Sequence, residues 1–156
     1  MAILLAALLI GLTGCKHDSD PPPGPVQKKL TITGLTGFNG EVIVQLYPIA
    51  MGTDAPIGTG AEIPPGSTSF TFDLYEDDGL DWIPWTGSAD LYVFIAFLDL
   101  GAAFVYTNGS TLAELGISDF IDDIVGNMEK LPKLAFNQDV TTVNLLDKFK
   151  SVMVGP

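Results

Sequence analysis

The chain has 156 residues with 19 Asp and Glu against 7 basic residues, a net charge of −12; every basic residue is Lys and there is no Arg. Nothing here neutralises a run of phosphates, which argues against nucleic acid as a partner. Nor is there a planar guanidinium to clamp phosphate or carboxylate, and the acidity removes any pull toward an anionic lipid surface.

Residues 2–12, AILLAALLIGL, are apolar and uncharged, the length of a signal-peptide core and too short to span a bilayer. Thr13-Gly14-Cys15 follows at once. Leu12-Thr13-Gly14-Cys15 resembles the bacterial lipobox, in which a small residue precedes the cysteine that is lipidated and becomes the first residue. The resemblance implies a diacylglyceryl thioether and an N-acyl chain on Cys15, with residues 1–14 removed as a signal peptide. Cys15 is the only cysteine, so no internal disulfide competes for it. Two or more acyl chains make a stable anchor where one is marginal.

Residues 15–27 form the lipidated end and a tether. Lys16 to Gln27 reads KHDSDPPPGPVQ, without apolar periodicity, and Pro21-Pro22-Pro23-Gly24-Pro25 favours an extended polyproline conformation. His17, the only histidine, is read as a solvated tether residue. Lys16 follows the cysteine where an Asp would mark inner-membrane retention in enteric bacteria, so the expected location is the bacterial cell envelope, at the outer membrane.

From Lys28 the period is two. Leu30 and Ile32 alternate with Thr31 and Thr33. The turn Gly37-Phe38-Asn39-Gly40 leads to Val42, Val44 and Leu46, and the two runs are expected to form a hairpin. Residues 48–66, rich in Gly and Pro, read as a long loop with at most one short edge strand. Phe70, Phe72 and Leu74 alternate in a half-buried strand. Glu76 to Trp85 reads as an acidic and aromatic loop. Ala89–Leu98, ADLYVFIAFL, is apolar on both faces and predicts a central strand covered on both sides; Ala102–Thr107 is the next strand.

The period then changes. Thr111-Leu112-Ala113-Glu114 fits a capping box that opens a helix ending at Gly116. Ser118 is placed to cap a second helix, with Phe120, Ile121, Ile124, Val125 and Met128 on one face. Val143 and Leu145 alternate in a last strand. The whole predicts a mainly β domain over residues 28–150, an immunoglobulin- or transthyretin-like β-sandwich of about seven strands with a short helical insertion before the last strand, followed by a tail at 151–156. The helix is a candidate second cover for the 89–98 strand.

Several phrases resemble small lipoproteins abundant in spirochaetes, Treponema among them. These are Leu30-Thr31-Ile32-Thr33-Gly34-Leu35, Trp85-Thr86-Gly87-Ser88, Tyr106-Thr107-Asn108-Gly109, Leu112-Ala113-Glu114-Leu115-Gly116-Ile117 and Leu131-Pro132-Lys133. The resemblance spans nearly the whole domain. It implies a β-sandwich on a lipid anchor and brings no catalytic residues with it.

A nucleophile–base pair needs a base near neutral pKa. With His17 in the tether and Cys15 acylated, the domain lacks the residues for Ser/His or Cys/His catalysis and for a His- or Cys-based zinc site. The expectation is therefore a non-catalytic binding or envelope-structural module, adhesin-like, with the membrane as one partner and a protein or glycan as another. Carboxylates remain: Glu76, Asp77, Asp78 and Asp81 crowd one loop and offer oxygen ligands for calcium, although a solvated charge run is the commoner reading. Trp82 and Trp85 flank Pro84 in the same loop. They read first as a plug closing one end of the sandwich, and second as an aromatic platform for a sugar or partner protein.

Overall fold

The computed structural model describes residues 22–49 and 56–154, so the lipobox, Cys15 and His17 lie outside the described residues. Eleven strands stand among those described, not seven. They are β1 (Lys29–Thr33), β2 (Gly40–Tyr47), β3 (Ile57–Ile63), β4 (Ser69–Asp73), β5 (Tyr75–Asp77), β6 (Trp82–Pro84), β7 (Ala89–Phe97), β8 (Ala102–Tyr106), β9 (Leu134–Phe136), β10 (Val140–Asn144) and β11 (Phe149–Val152). Two short helices accompany them, α1 (Ile121–Gly126) and α2 (Leu145–Lys148), with a 3₁₀ turn at Met128–Lys130. The strands form two sheets in an open, sandwich-like arrangement. The small sheet runs β10-β1-β4; the large one runs β11-β8-β7-β2-β3-β5-β6, with β9 paired to the first residues of β7.

The additional strands come from segments whose composition hides them. Residues 57–63 carry Gly58 and Gly60, yet they zip along β2 from Gly40↔Ile63 to Leu46↔Ile57. The acidic and aromatic loop closes as a hairpin, β5 with β6. Beyond residue 150 the chain continues in β11, paired with β8 through Val152↔Ala103.

The expected hairpin of residues 30–33 with 42–46 does not form. β1 pairs with β4 and, in parallel, with β10, whereas β2 pairs with β3 and β7 in the other sheet. The connection crosses the sandwich because its own side chains fill the gap between the sheets. Leu35 is fully buried, and the Phe38 ring lies 5.2 Å from Phe97 and 5.4 Å from Phe104. Burying Leu35 fully and Phe38 in part outweighs local hairpin closure, since a fully buried large apolar side chain gains about 1.5–3 kcal/mol and a partly buried one a share of that. Gly40, at φ +91°, starts β2 with the Asp99 carboxylate pressed against it, and that carboxylate accepts the Glu41 amide at 3.0 Å.

Alternation in β2 and β7 sends Val42, Val44, Leu46, Leu91, Val93, Ile95 and Phe97 inward against Leu30, Ile32 and Phe72 of the small sheet. The other face of β7 carries Tyr92 and Phe94. These join Val105, Leu112, Ile117, Ile124, Met128 and Leu131 in a second cluster. The segment 110–131 is thus the cover that the doubly apolar strand requires.

That segment is less helical than its sequence predicts. The Thr111–Glu114 capping pair is present: the Thr111 amide donates to Glu114 Oε2 at 2.7 Å and the Glu114 amide to Thr111 Oγ1 at 3.2 Å. It closes a turn only, ended by Gly116 at φ +70°. Ser118 Oγ accepts the Phe120 amide at 3.1 Å but does not cap α1, whose N-cap is Phe120. Ile124 and Met128 are fully buried, while Val125 points outward. The strand containing Val143 ends at Asn144, whose Oδ1 accepts the Leu146 and Asp147 amides and starts α2 with Leu145 buried inside it.

Candidate functional site

The two tryptophans part company. Trp85 is only 4% exposed and stands edge-on to Phe136, with centroids 5.7 Å apart. Its backbone knits the end of the sandwich: its amide donates to Leu74 O at 3.0 Å and its carbonyl accepts the Lys28 amide at 2.8 Å. Trp85 is the plug. Trp82, three residues earlier, is 53% exposed. In β6, side chains alternate between faces, so Trp82 and Pro84 share the outer face with their partners Asp77 and Tyr75.

The four acidic side chains do not converge. Glu76 sits opposite Ile83 on one face of the hairpin and Asp77 opposite Trp82 on the other. Asp77 Oδ1 accepts the Gly79 amide at 2.8 Å, and Asp78 Oδ1 accepts the amides of Leu80 at 2.9 Å and Asp81 at 2.8 Å. Those amides hold the Asp78 carboxyl below the usual carboxylate range. Two of the acids are therefore part of the turn's own hydrogen bonding. Among the described residues, no group of three or more His, Cys, Asp or Glu side chains is placed to hold a metal ion.

Trp82 instead belongs to an apolar groove of about 550 Å³ on the outer face of the large sheet, beside Tyr75, Ile43, Gln45, Pro56 and Gly58. Two features leave it open. The β2–β3 register sets Gly60 opposite Ile43 and Gly58 opposite Gln45, so two outward positions have no side chain. The covering segment 110–131 packs on β7, β8 and β11 and does not extend over β3. Gly58 is also a steric requirement, because a Cβ there would run into the Val44 carbonyl oxygen. Farther along the same face, Glu41, Glu62 and Asp99 line a second, acidic hollow. Glu41 and Glu62 stand directly opposite across the strands, which gives that end of the face a negative potential.

Ile43, Gly58 and Tyr75 were not among the residues the sequence singled out. Their signal was the alternating Ile57-Gly58-Thr59-Gly60-Ala61-Glu62-Ile63, whose glycines mask a strand by removing side chains from one face. At the other side of the sheet, Lys133 Nζ donates to Pro48 O at 2.6 Å and lies 4.8 Å from the Tyr92 ring centroid, tying β9 to the end of β2. Burial raises the phenol pKa of Tyr47 and of Tyr106, both of which pack as core side chains.

Among the described residues, no helix is long and apolar enough to cross a membrane. Comparison of the chain with models of protein families, with curated proteins and with solved structures gives no match.

Proposed function

We propose that the chain is a bacterial lipoprotein, anchored in the cell envelope through acyl chains on Cys15, whose β-sandwich acts as a non-catalytic binding or structural module. The observation that carries this reading is the order of the first 28 residues: an apolar run of signal-peptide length, Thr13-Gly14-Cys15, a Pro-rich spacer, then the first residue of the domain. The resemblance to spirochaete lipoproteins points the same way, and Lys16 after the cysteine favours the outer membrane. The sandwich itself is read as an elaborated form of the immunoglobulin or transthyretin type, enlarged by β3, the β5–β6 hairpin and β9.

The test is detergent phase partitioning of protein made in a bacterium with a lipoprotein-processing pathway. The native chain is expected in the detergent phase and the membrane fraction, and Cys15→Ser in the aqueous phase. A native chain that partitions into water overturns the reading.

One observation favours a second reading, a carbohydrate-binding face: Tyr75 and Trp82 offer aromatic surfaces to the same groove. Under it, cell-wall glycans raise the melting midpoint by mass action, and Trp82→Ala removes the shift.

A further inference from the structure

We infer that the β5–β6 hairpin is a second, non-covalent contact with the membrane, seating Leu80 and Trp82 at the headgroup level of a bilayer whose surface is mainly zwitterionic. The inference rests on the lipid-anchor reading above and adds to it how the domain sits on the bilayer.

The hairpin tip exposes apolar side chains in every direction. Leu80 is 93% exposed, Trp82 53% and Ile83 38%. Single exposed apolar residues are ordinary. These differ because Trp82 and Ile83 point to opposite faces of β6 and Leu80 crowns the turn. A sugar or protein docked in the groove would cover one face and leave Ile83 and Leu80 in water. A medium that surrounds the tip covers all three, and the membrane interface is such a medium, one in which Trp is enriched.

The hairpin also leaves the domain at the correct end. β4 runs antiparallel to β1, with Asp73 opposite Lys29, so the chain beyond Asp73 heads back toward the side from which the tether arrives. The base of the hairpin is bonded to that point of arrival: Leu74 donates to Lys28 O at 3.0 Å, Lys28 to Trp85 O at 2.8 Å, and Gln27 Nε2 to Leu74 O at 3.0 Å. Val26, half-exposed, lies in the tether at this end, and exposed Val140 is paired with Lys29. Residues 16–27 separate the cysteine from Lys28. Even fully extended, at about 3.3–3.6 Å per residue, twelve residues span no more than roughly 43 Å, which keeps Lys28, and the hairpin bonded to it, within that distance of the anchored cysteine. Tethering makes even a weak contact intramolecular and hence populated.

Charge selects the lipid. Asp77, Asp78 and Asp81 flank the apolar tip and would be repelled by an anionic surface, whereas a phosphatidylcholine or phosphatidylethanolamine surface has no net charge to repel them. The turn is fixed by its own Asp–amide hydrogen bonds, so the tip is presented without a large ordering cost.

The experiment uses full-length lipidated protein, reconstituted in phosphatidylcholine/phosphatidylethanolamine vesicles in which part of the phosphatidylcholine carries bromine on its acyl chains. Buried Trp85 is the internal reference, and Trp82→Phe identifies the Trp82 emission. The expected result is blue-shifted Trp82 emission, quenched by the brominated lipid and shielded from aqueous acrylamide. Leu80→Asp, still folded by circular dichroism and still floating with the vesicles, loses the quenching, and phosphatidylglycerol weakens it. Native protein that floats with the vesicles while Trp82 stays unquenched and open to acrylamide overturns the hairpin contact and leaves the anchor intact. Native protein that does not float overturns both. Trp82 emission that moves with soluble cell-wall glycan but not with brominated lipid assigns the side chain to a sugar and likewise overturns the contact.

Discussion

Trp82 and Trp85 carry opposite duties within four residues, and stability measurements separate them. Trp85→Ala empties a buried site against Phe136 and is expected to cost about 3–5 kcal/mol. Trp82→Ala removes a half-exposed side chain and is expected to change stability by no more than about 0.5 kcal/mol. Urea midpoints of the two variants check this; equal losses would mean that Trp82 is part of the core. Composition favours neither tryptophan for burial, because the segment Trp82-Ile83-Pro84-Trp85 is apolar throughout. Position in the fold decides it: Trp82 stands in β6 on its outer face, whereas Trp85 follows the strand, where its backbone bonds to Leu74 and Lys28 and its ring meets Phe136. A segment read as a loop has no alternation to apply, so the split was not legible. The four acids illustrate the same gap. Their crowding is visible in the sequence, but the fact that Asp77 and Asp78 spend an oxygen on the turn's own amides is visible only once the turn is closed.

At the scale of elements, the hairpin turn gives a prediction with a definite sign. Amides of Asp81 and Leu80 lower the Asp78 pKa in the folded state relative to the unfolded chain. Its stabilising contribution is therefore present above the ordinary Asp pKa and is lost as pH falls through the folded value. Asp78→Ala should loosen the hairpin at neutral pH, seen as faster amide exchange at Leu80 and Asp81, and the difference from the native chain should shrink as the solution is acidified below the carboxylate range. A difference that persists unchanged in acid would show that the carboxylate is not the source. The elements readable from sequence were those with unbroken alternation: β1, β2, β4 and β7 lie where the apolar period predicts them. Their pairing was not readable. Gly37-Phe38-Asn39-Gly40 carries the residues of a hairpin turn, but it holds Phe38, which a hairpin would leave in water and the crossing packs, partly buried, against Phe97 and Phe104. The Thr111–Glu114 capping pair forms without its helix because Gly116 stops the segment before a helix can recover its nucleation cost.

In the whole molecule, residues 110–131 add a third layer over β7, β8 and β11, while the outer face of the large sheet beside β3 carries none. The apolar run of residues 89–98 made the need for a second cover legible. The limited reach of that cover, which leaves the groove beside Trp82 open, depends on where residues 110–131 settle and had no sequence signal. In the proposed arrangement the acyl chains fix one end of a short proline-rich spacer, the spacer meets the domain at Lys28, and the β5–β6 hairpin at that junction rests on the lipid. The mass of the N-terminal peptide of mature protein, taken from a bacterial membrane fraction, tests this most directly. A peptide that begins at Cys15 and carries the mass of a diacylglyceryl group and an amide-linked acyl chain is the predicted result. A peptide that begins elsewhere, or contains Cys15 with its sulfur unmodified, would contradict it.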